Sequence, residues 1–305
     1  MTKPDTRTAL FAQIHSPTIT TIKRHIEAPL PTHAFLLIGP FGIGSYEVVQ
    51  SLRSQLQPPT VAHELYHELA APIKIAAVRQ LRKSLSLASH PKHYRFVTLR
   101  SFSQSTIEAQ QALLKTLEEP GARILFFLLS ETMATILPTI QSRAMTIRLH
   151  PPEPTKLLSA LVEHCAVNHA AATRAMAMGG TNIHAMIDYC ANPDSLQTIL
   201  DEAATQVITL TTQPLYQRFA LIKDITSRED KTTVMNIWLI LLEELLTYIT
   251  MKREPMLFTK QQVQTIATHG VTAQQLSNAM KQLASLQTQP AFSAPMLERC
   301  VVVFP

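Results

Sequence analysis

The 305 residues carry 27 Lys and Arg against 22 Asp and Glu, a net charge of +5, with 46% apolar residues. A chain of this size and apolar content builds more than one core, and its low charged fraction of 16% argues against a disordered chain. Three cysteines, Cys165, Cys190 and Cys300, are too few and too scattered for a disulfide scaffold, and they exclude a closed four-cysteine zinc site. The polar start Met1-Thr2-Lys3-Pro4-Asp5 is not a secretory signal, and the most apolar stretch, Val234 to Met251, contains Asn236, Glu243 and Glu244, which are costly in lipid. The expectation is a cytoplasmic chain with no membrane partner.

Taken in chain order, the first half alternates short apolar runs with helical patterns. Ala34 to Ile38, Phe96 to Leu99, Ile124 to Leu129 and Met145 to Leu149 are expected strands, and such runs with helices between them imply a parallel sheet covered on both faces. Expected helices run from Ser45 to Gln55 and from Ile75 to Ala88. A third follows Ser105, whose spacing to Glu108 suggests a capping box, and stops at Pro120-Gly121. After Leu149 the chain reads as helical. A break at Gly179-Gly180 and a boundary at Asn192-Pro193 divide this part, and Val234, Ile237, Trp238, Leu241, Leu242 and Leu245 mark a central helix in which Trp238 is a packing residue.

Gly39-Pro40-Phe41-Gly42-Ile43-Gly44 holds three of the seven glycines between an expected strand and an expected helix, the setting of a phosphate-binding loop. A working loop continues with Lys, whose ammonium balances the phosphates, and Ser or Thr, whose hydroxyl holds Mg²⁺. Here Ser45 and Tyr46 stand in those positions. At the end of the strand Phe96–Leu99, where an acidic pair would hold the metal, stand Arg100 and Ser101. Loss of lysine, hydroxyl and acid together from distant segments argues for a loop that does not hydrolyse ATP.

Two further patterns are weaker. His63-Glu64-Leu65-Tyr66-His67 is a formal H-E-x-x-H without the third ligand of the extended zinc motif, so no metal site is expected. No acidic residue occurs between Glu68 and Glu108, a stretch that contains Lys74, Arg82 and Lys83. It reads either as a solvated helix face or as a surface for the phosphates of DNA.

The segment Ala112-Leu113-Leu114-Lys115-Thr116-Leu117-Glu118-Glu119-Pro120 resembles a signature of the AAA+ clamp-loader subunits. His33-Ala34-Phe35-Leu36 ahead of Gly39-Pro40 resembles that family's approach to its phosphate loop, and Ser142-Arg143-Ala144 resembles its Ser-Arg-Cys motif with Ala144 for Cys. The resemblance runs from about His33 to Leu149. With its degenerate loop, the sequence is most similar to the ATPase-inactive delta-prime family of the bacterial DNA polymerase III clamp loader. It departs from the family in lacking a cysteine zinc module and in placing His184 at the lid's arginine position. The first sensor position falls near Ser130-Glu131.

The resemblance implies an α/β fold, an AAA+ P-loop parallel sheet over residues 1–150, a helical lid over 151–193, and an all-α C-terminal collar over 194–305. It implies no catalysis in cis and no cofactor in this chain, with ATP and Mg bound by neighbours. Arg143 would act in trans on a neighbour's ATP, with Ser142 orienting it. The degenerate loop residues Gly39, Pro40, Gly42, Gly44, Ser45 and Tyr46 would be inactive. The implied partners are the motor (gamma/tau) and delta subunits, the sliding clamp, and primer-template DNA met by Lys74, Arg82 and Lys83. An active ATPase with unorthodox ligands and a standalone AAA+-derived scaffold are the alternatives.

Overall fold

The structure, a computed structural model, describes residues 6–57, 65–86, 92–228 and 231–287, together with 297, 302 and 304. Two units are distinguished. One holds residues 1–172 and 179–190, and the other 173–178 and 191–305.

In the first unit, α1 (Thr6–Ile14) and α2 (Ser16–Ile26) precede β1 (Ala34–Ile38), α3 (Ser45–Leu56), β2 (Tyr66–Leu69), α4 (Ile75–Leu85), β3 (Arg95–Leu99), α5 (Ile107–Glu118), β4 (Ile124–Ser130), α6 (Pro138–Gln141) and β5 (Met145–Arg148). The five strands pair in parallel in the order β2-β3-β4-β1-β5. Residues of β1, β3 and β4 are buried without alternation, as a sheet covered on both faces requires. On one face Leu36, Val97, Phe126 and Leu128 share a core with Val78 and Leu81 of α4, Leu113 and Leu117 of α5, and Ile140 and Ala144 around α6. On the other, the rings of Phe35, Phe96 and Phe127 stack with centroids 5.5 and 5.7 Å apart. Each fully buried side chain of this size contributes about 1.5–3 kcal/mol, so the central strands dominate the stability of the unit.

The expected strands and helices lie where the sequence places them, but α1 and α2 were not expected, and the cap of α5 differs. The cap of α5 is Thr106, whose hydroxyl accepts from Ala109 N–H at 3.2 Å, one residue after the expected Ser105. Ser105 Oγ instead donates to the Phe102 carbonyl, closing the short 3₁₀ turn Phe102–Gln104. β2 lies at the sheet edge and carries His67, in the segment ahead of the Ile75 helix where the resemblance places a strand. His63 and Glu64, the rest of the H-E-x-x-H pattern, lie outside the described residues, as does the expected extension of α4 beyond Ser86.

Beyond β5 come α7 (Pro154–Cys165), α8 (His169–Gly179) and α9 (Ile183–Ala191). Cys165 ends α7 and Cys190 lies in α9, and both read from the sequence as buried thiols with no helical pairing. Cys165 is only half-buried and the two are hydrogen-bonded to each other, which lowers the Cys165 thiol and raises that of Cys190. Cys300 lies outside the described residues.

The second unit contains α10 (Pro193–Thr212), α11 (Leu215–Ser227), α12 (Lys231–Met251), α13 (Lys260–Thr268) and α14 (Ala273–Gln287). Trp238 of α12 is fully buried and its indole N–H donates to Gln206 Oε1 of α10 at 2.8 Å, the partner a buried indole requires. Glu244 accepts from the backbone N–H groups of Leu257 and Phe258, fixing the turn that leads into α13. By length and composition alone the stretch Thr233–Met251 is apolar enough to cross a membrane. Its Met235, Leu241 and Leu242 are nonetheless fully buried within the unit.

Candidate functional site: a closed phosphate loop and an exposed arginine

The glycine loop follows β1 and leads into α3, at the carboxyl ends of the parallel strands. Gly42 and Gly44 take φ of 78° and 97°, a region that side chains avoid. A Cβ on Gly44 would collide with the Phe11 ring of α1, and one on Gly42 would collide with Asn182 at the start of α9. The backbone of the loop is held by the same two segments. His15 Nε2 donates to the Ile43 carbonyl at 2.7 Å, and Ile183 N–H donates to the Gly42 carbonyl at 3.0 Å. His184 Nε2 lies 3.2 Å from Glu47 Oε1 of α3, and its ring packs against Phe11, 4.8 Å between centroids.

The cleft beside the loop measures about 450 Å³ and is lined by Arg7, Gly39–Glu47, Arg100, Ser101, Ser130, Glu131 and His184. Its cations are already engaged. Arg7 pairs with Asp188. Arg100 at the end of β3 lies over the Tyr46 ring, 4.5 Å from its centroid, and donates to Glu68 Oε1 at 3.1 Å. Tyr46 hydroxyl donates to Glu68 Oε2 at 2.9 Å. Tyr46, Arg100 and Glu68 thus form one closed group where the metal-holding hydroxyl and acid of an active loop would stand. Ser101 takes a left-handed φ of 49°, turning the chain out of the sheet, and Ser130 Oγ donates to the Thr132 carbonyl at 2.7 Å. The sequence pointed to Ser45, Tyr46 and Arg100 but missed Glu68, because only the β2–β3 pairing brings it to Arg100.

Arg143 follows α6 in a different part of the unit and is exposed, as is Ser142. The segment that leads into α6, on the other side of that helix from Arg143, is fixed from α5 by Gln110, a buried side chain that accepts from Leu137 N–H at 2.8 Å and donates to the Thr135 carbonyl at 2.9 Å. Both backbone groups would be costly to leave unpaired. Lys74 immediately precedes α4, with no side-chain capping bond, and Arg82 and Lys83 sit in its last turn, all three exposed. About 12 Å of helix separates Lys74 from Arg82. No cluster of three or more His, Cys, Asp or Glu side chains suited to a metal occurs among the described residues. His67 Nε2 is buried without a partner, and burial together with the Arg95 charge holds its pKa below the ordinary value.

Burial is also the largest influence on His15, holding it below the ordinary 6.5 against the opposite pull of the Ile43 carbonyl and Glu47. Below that value the unfolded chain binds more protons than the folded one, so stability is complete above it and falls as pH drops toward the folded value. The melting temperature of the first unit is therefore expected to fall between pH 7 and about pH 5.5. His15→Gln, which keeps a donor for Ile43, is expected to fall less over that range in a pH series of thermal melts. An equal fall in both proteins would assign the effect elsewhere.

Comparison with known proteins bears on the whole arrangement. Residues 61–153 match the family described as DNA polymerase III, delta subunit. The DNA polymerase III subunit delta' of Pseudomonas aeruginosa is 30% identical over 136 residues, covering 37% of this chain and 42% of that protein. The subunit delta' of Bacillus subtilis is 30% identical over 99 residues, covering 32% of this chain and 30% of that protein. The matches thus span less than half the length of either relative. Among solved structures, a DNA polymerase III gamma subunit-related protein from Thermotoga maritima aligns with a TM-score of 0.52 at 14% identity, over 93% of this chain and 97% of its own. Cdc6p from Pyrobaculum aerophilum aligns with a TM-score of 0.50 at 11% identity, over 96% of each chain. This chain has the AAA+ α/β fold and is similar, over part of their length, to the delta-prime subunits of bacterial DNA polymerase III.

Proposed function

We propose that this chain is a clamp-loader subunit that hydrolyses no ATP of its own and completes the active site of an adjoining motor (gamma/tau) subunit with Arg143. The observation that carries the reading is the contrast between two parts of one unit. The glycine loop has lost its lysine, and Tyr46, Glu68 and Arg100 close on one another where the metal's ligands would be. Arg143 is retained on the surface just past α6, whose entry is fixed by Gln110. Selection for ATP turnover in cis would not leave this combination. A role in trans needs only the arginine and a rigid support.

A guanidinium directed at a neighbour's γ-phosphate stabilises charge that spreads over its oxygens in the transition state. Ser142, next to it, helps orient the loop. ATP and Mg²⁺ belong to the neighbour in this reading, and the chain needs no cofactor. Residues 1–150 and 151–193 serve as AAA+ core and lid, and residues 194–305 as the collar that holds the loader's subunits in a ring. The assembly places a sliding clamp on primer-template DNA in the cytoplasm.

The test is ATP hydrolysis by the complex reconstituted with motor and delta subunits, clamp and primed DNA. Arg143→Ala is expected to lower turnover at the adjoining site by about 10³-fold or more. Arg143→Lys should lose nearly as much, because an ammonium lacks the planar fork. Wild-type turnover with Arg143→Ala would contradict the reading.

Lys74, Arg82 and Lys83 are proposed to meet DNA phosphates, contacts that position a duplex without selecting sequence. Reversing the charge of Arg82 and Lys83 should weaken DNA binding by the complex and flatten its dependence on salt, while assembly persists. Unchanged affinity at low salt would leave these residues as a solvated helix face.

A further inference from the structure

We propose that Glu118 is the positioning residue for the Arg143 guanidinium. The inference rests on the reading of Arg143 as the group offered to a neighbour, and it concerns how a long, exposed side chain comes to be held for that task.

Among the described residues, the polar partners of the Arg143 side chain are Glu118, Thr139 and Ser142. Nε and Nη2 both donate to Glu118 Oε1, at 2.8 and 2.6 Å. Nη1 donates to the Thr139 carbonyl at 3.0 Å and lies 3.3 Å from Ser142 Oγ. The inner edge of the guanidinium, Nε with Nη2, is thus taken by a carboxylate, and a carbonyl and a hydroxyl fix the remaining rotation. The outer proton of Nη2 is left for an incoming oxyanion. Glu118 is the last residue of α5, and Arg143 stands two residues past the end of α6. Leu113 and Leu117 of the first share a core with Ile140 and Ala144 around the second. The carboxylate and the guanidinium therefore stand on packed elements, which is how a reactive geometry is held closely.

Stability does not explain the pair. The Arg143 and Glu118 side chains retain 36% and 46% of their exposure, and ion pairs this open contribute little to folding. Their value lies in orientation. An unsupported arginine samples many rotamers and must lose that freedom each time it meets the phosphate. A guanidinium already held in one plane loses less, and small errors in its placement are costly to the rate.

The experiment uses the reconstituted complex with Glu118→Ala, Glu118→Gln, Arg143→Ala and the double variant Glu118→Ala/Arg143→Ala, with subunit assembly measured alongside. Glu118→Ala is expected to lower kcat for ATP about tenfold with KM and assembly unchanged. Glu118→Gln, which keeps an acceptor oxygen, should recover most of the rate. Adding Glu118→Ala to Arg143→Ala should cost nothing further. A wild-type kcat for Glu118→Ala beside a defective Arg143→Ala would overturn the positioning role and leave the arginine reading intact. A raised KM, failed assembly, or a further loss in the double variant would likewise overturn it, since Glu118 would then act apart from Arg143. Wild-type rates in all variants would remove the arginine reading and this inference together.

Discussion

The first unit is organised around the space its glycine loop leaves for other segments. Gly44 has no side chain, and the Phe11 ring occupies the position a Cβ would take. Gly42 makes the same room for Asn182. Two stretches far apart in the sequence, α1–α2 and the start of α9, therefore converge on six residues, and each donates a hydrogen bond to a loop carbonyl through His15 or Ile183. A loop built to receive phosphate presents backbone N–H groups to its ligand. This one also spends its carbonyls on holding the helices that flank it, so its glycines serve packing as much as any ligand.

The same economy appears at the end of β3. Replacing an acid by Arg100 in an otherwise unchanged site would leave a cation facing backbone dipoles. Tyr46 supplies a ring beneath it and Glu68 a counter-charge, so the one carboxylate of the group is taken up by Arg100 and the Tyr46 hydroxyl. At Arg143 the logic runs the other way. Gln110 holds the entry to α6 through buried hydrogen bonds, Glu118 meets the side chain at the surface, and the small Ala144 fits the core beneath. In the proposed account one part of the unit is closed on itself and another is kept ready for a neighbour.

Much of this was legible in the sequence where a residue type is itself the signal. Strands buried on both faces appear as unbroken apolar runs, so β1, β3 and β4 could be placed within a residue or so. The loop glycines, Ser45, Tyr46, Arg100 and Arg143 were found because each occupies or vacates a motif position. Partners were not legible, because they are set by tertiary pairing. Glu68 reaches Arg100 only through the β2–β3 register, and β2, with the sequence Tyr-His-Glu-Leu, lacks both an apolar run and a clean alternation. Gln110 lies inside an amphipathic helix where a polar residue ordinarily faces water. The helices α1 and α2 went unrecognised behind a polar start, although Ile19, Ile22 and Ile26 keep helical spacing. Ser105 and Thr106 are both competent caps, and the 3₁₀ turn before them decides which hydroxyl is free.

The central claim is that the glycine loop does not turn over ATP, and phosphate release by the isolated chain, read beside its thermal melting with and without Mg·ATP, tests it most directly. A ligand at a hundred times its Kd stabilises the state that binds it by about 2.7 kcal/mol, which a melt resolves readily. The account predicts an unchanged melting temperature at millimolar Mg·ATP and no release of phosphate. A saturable rise in melting temperature accompanied by turnover would contradict it and return this chain to the active ATPases.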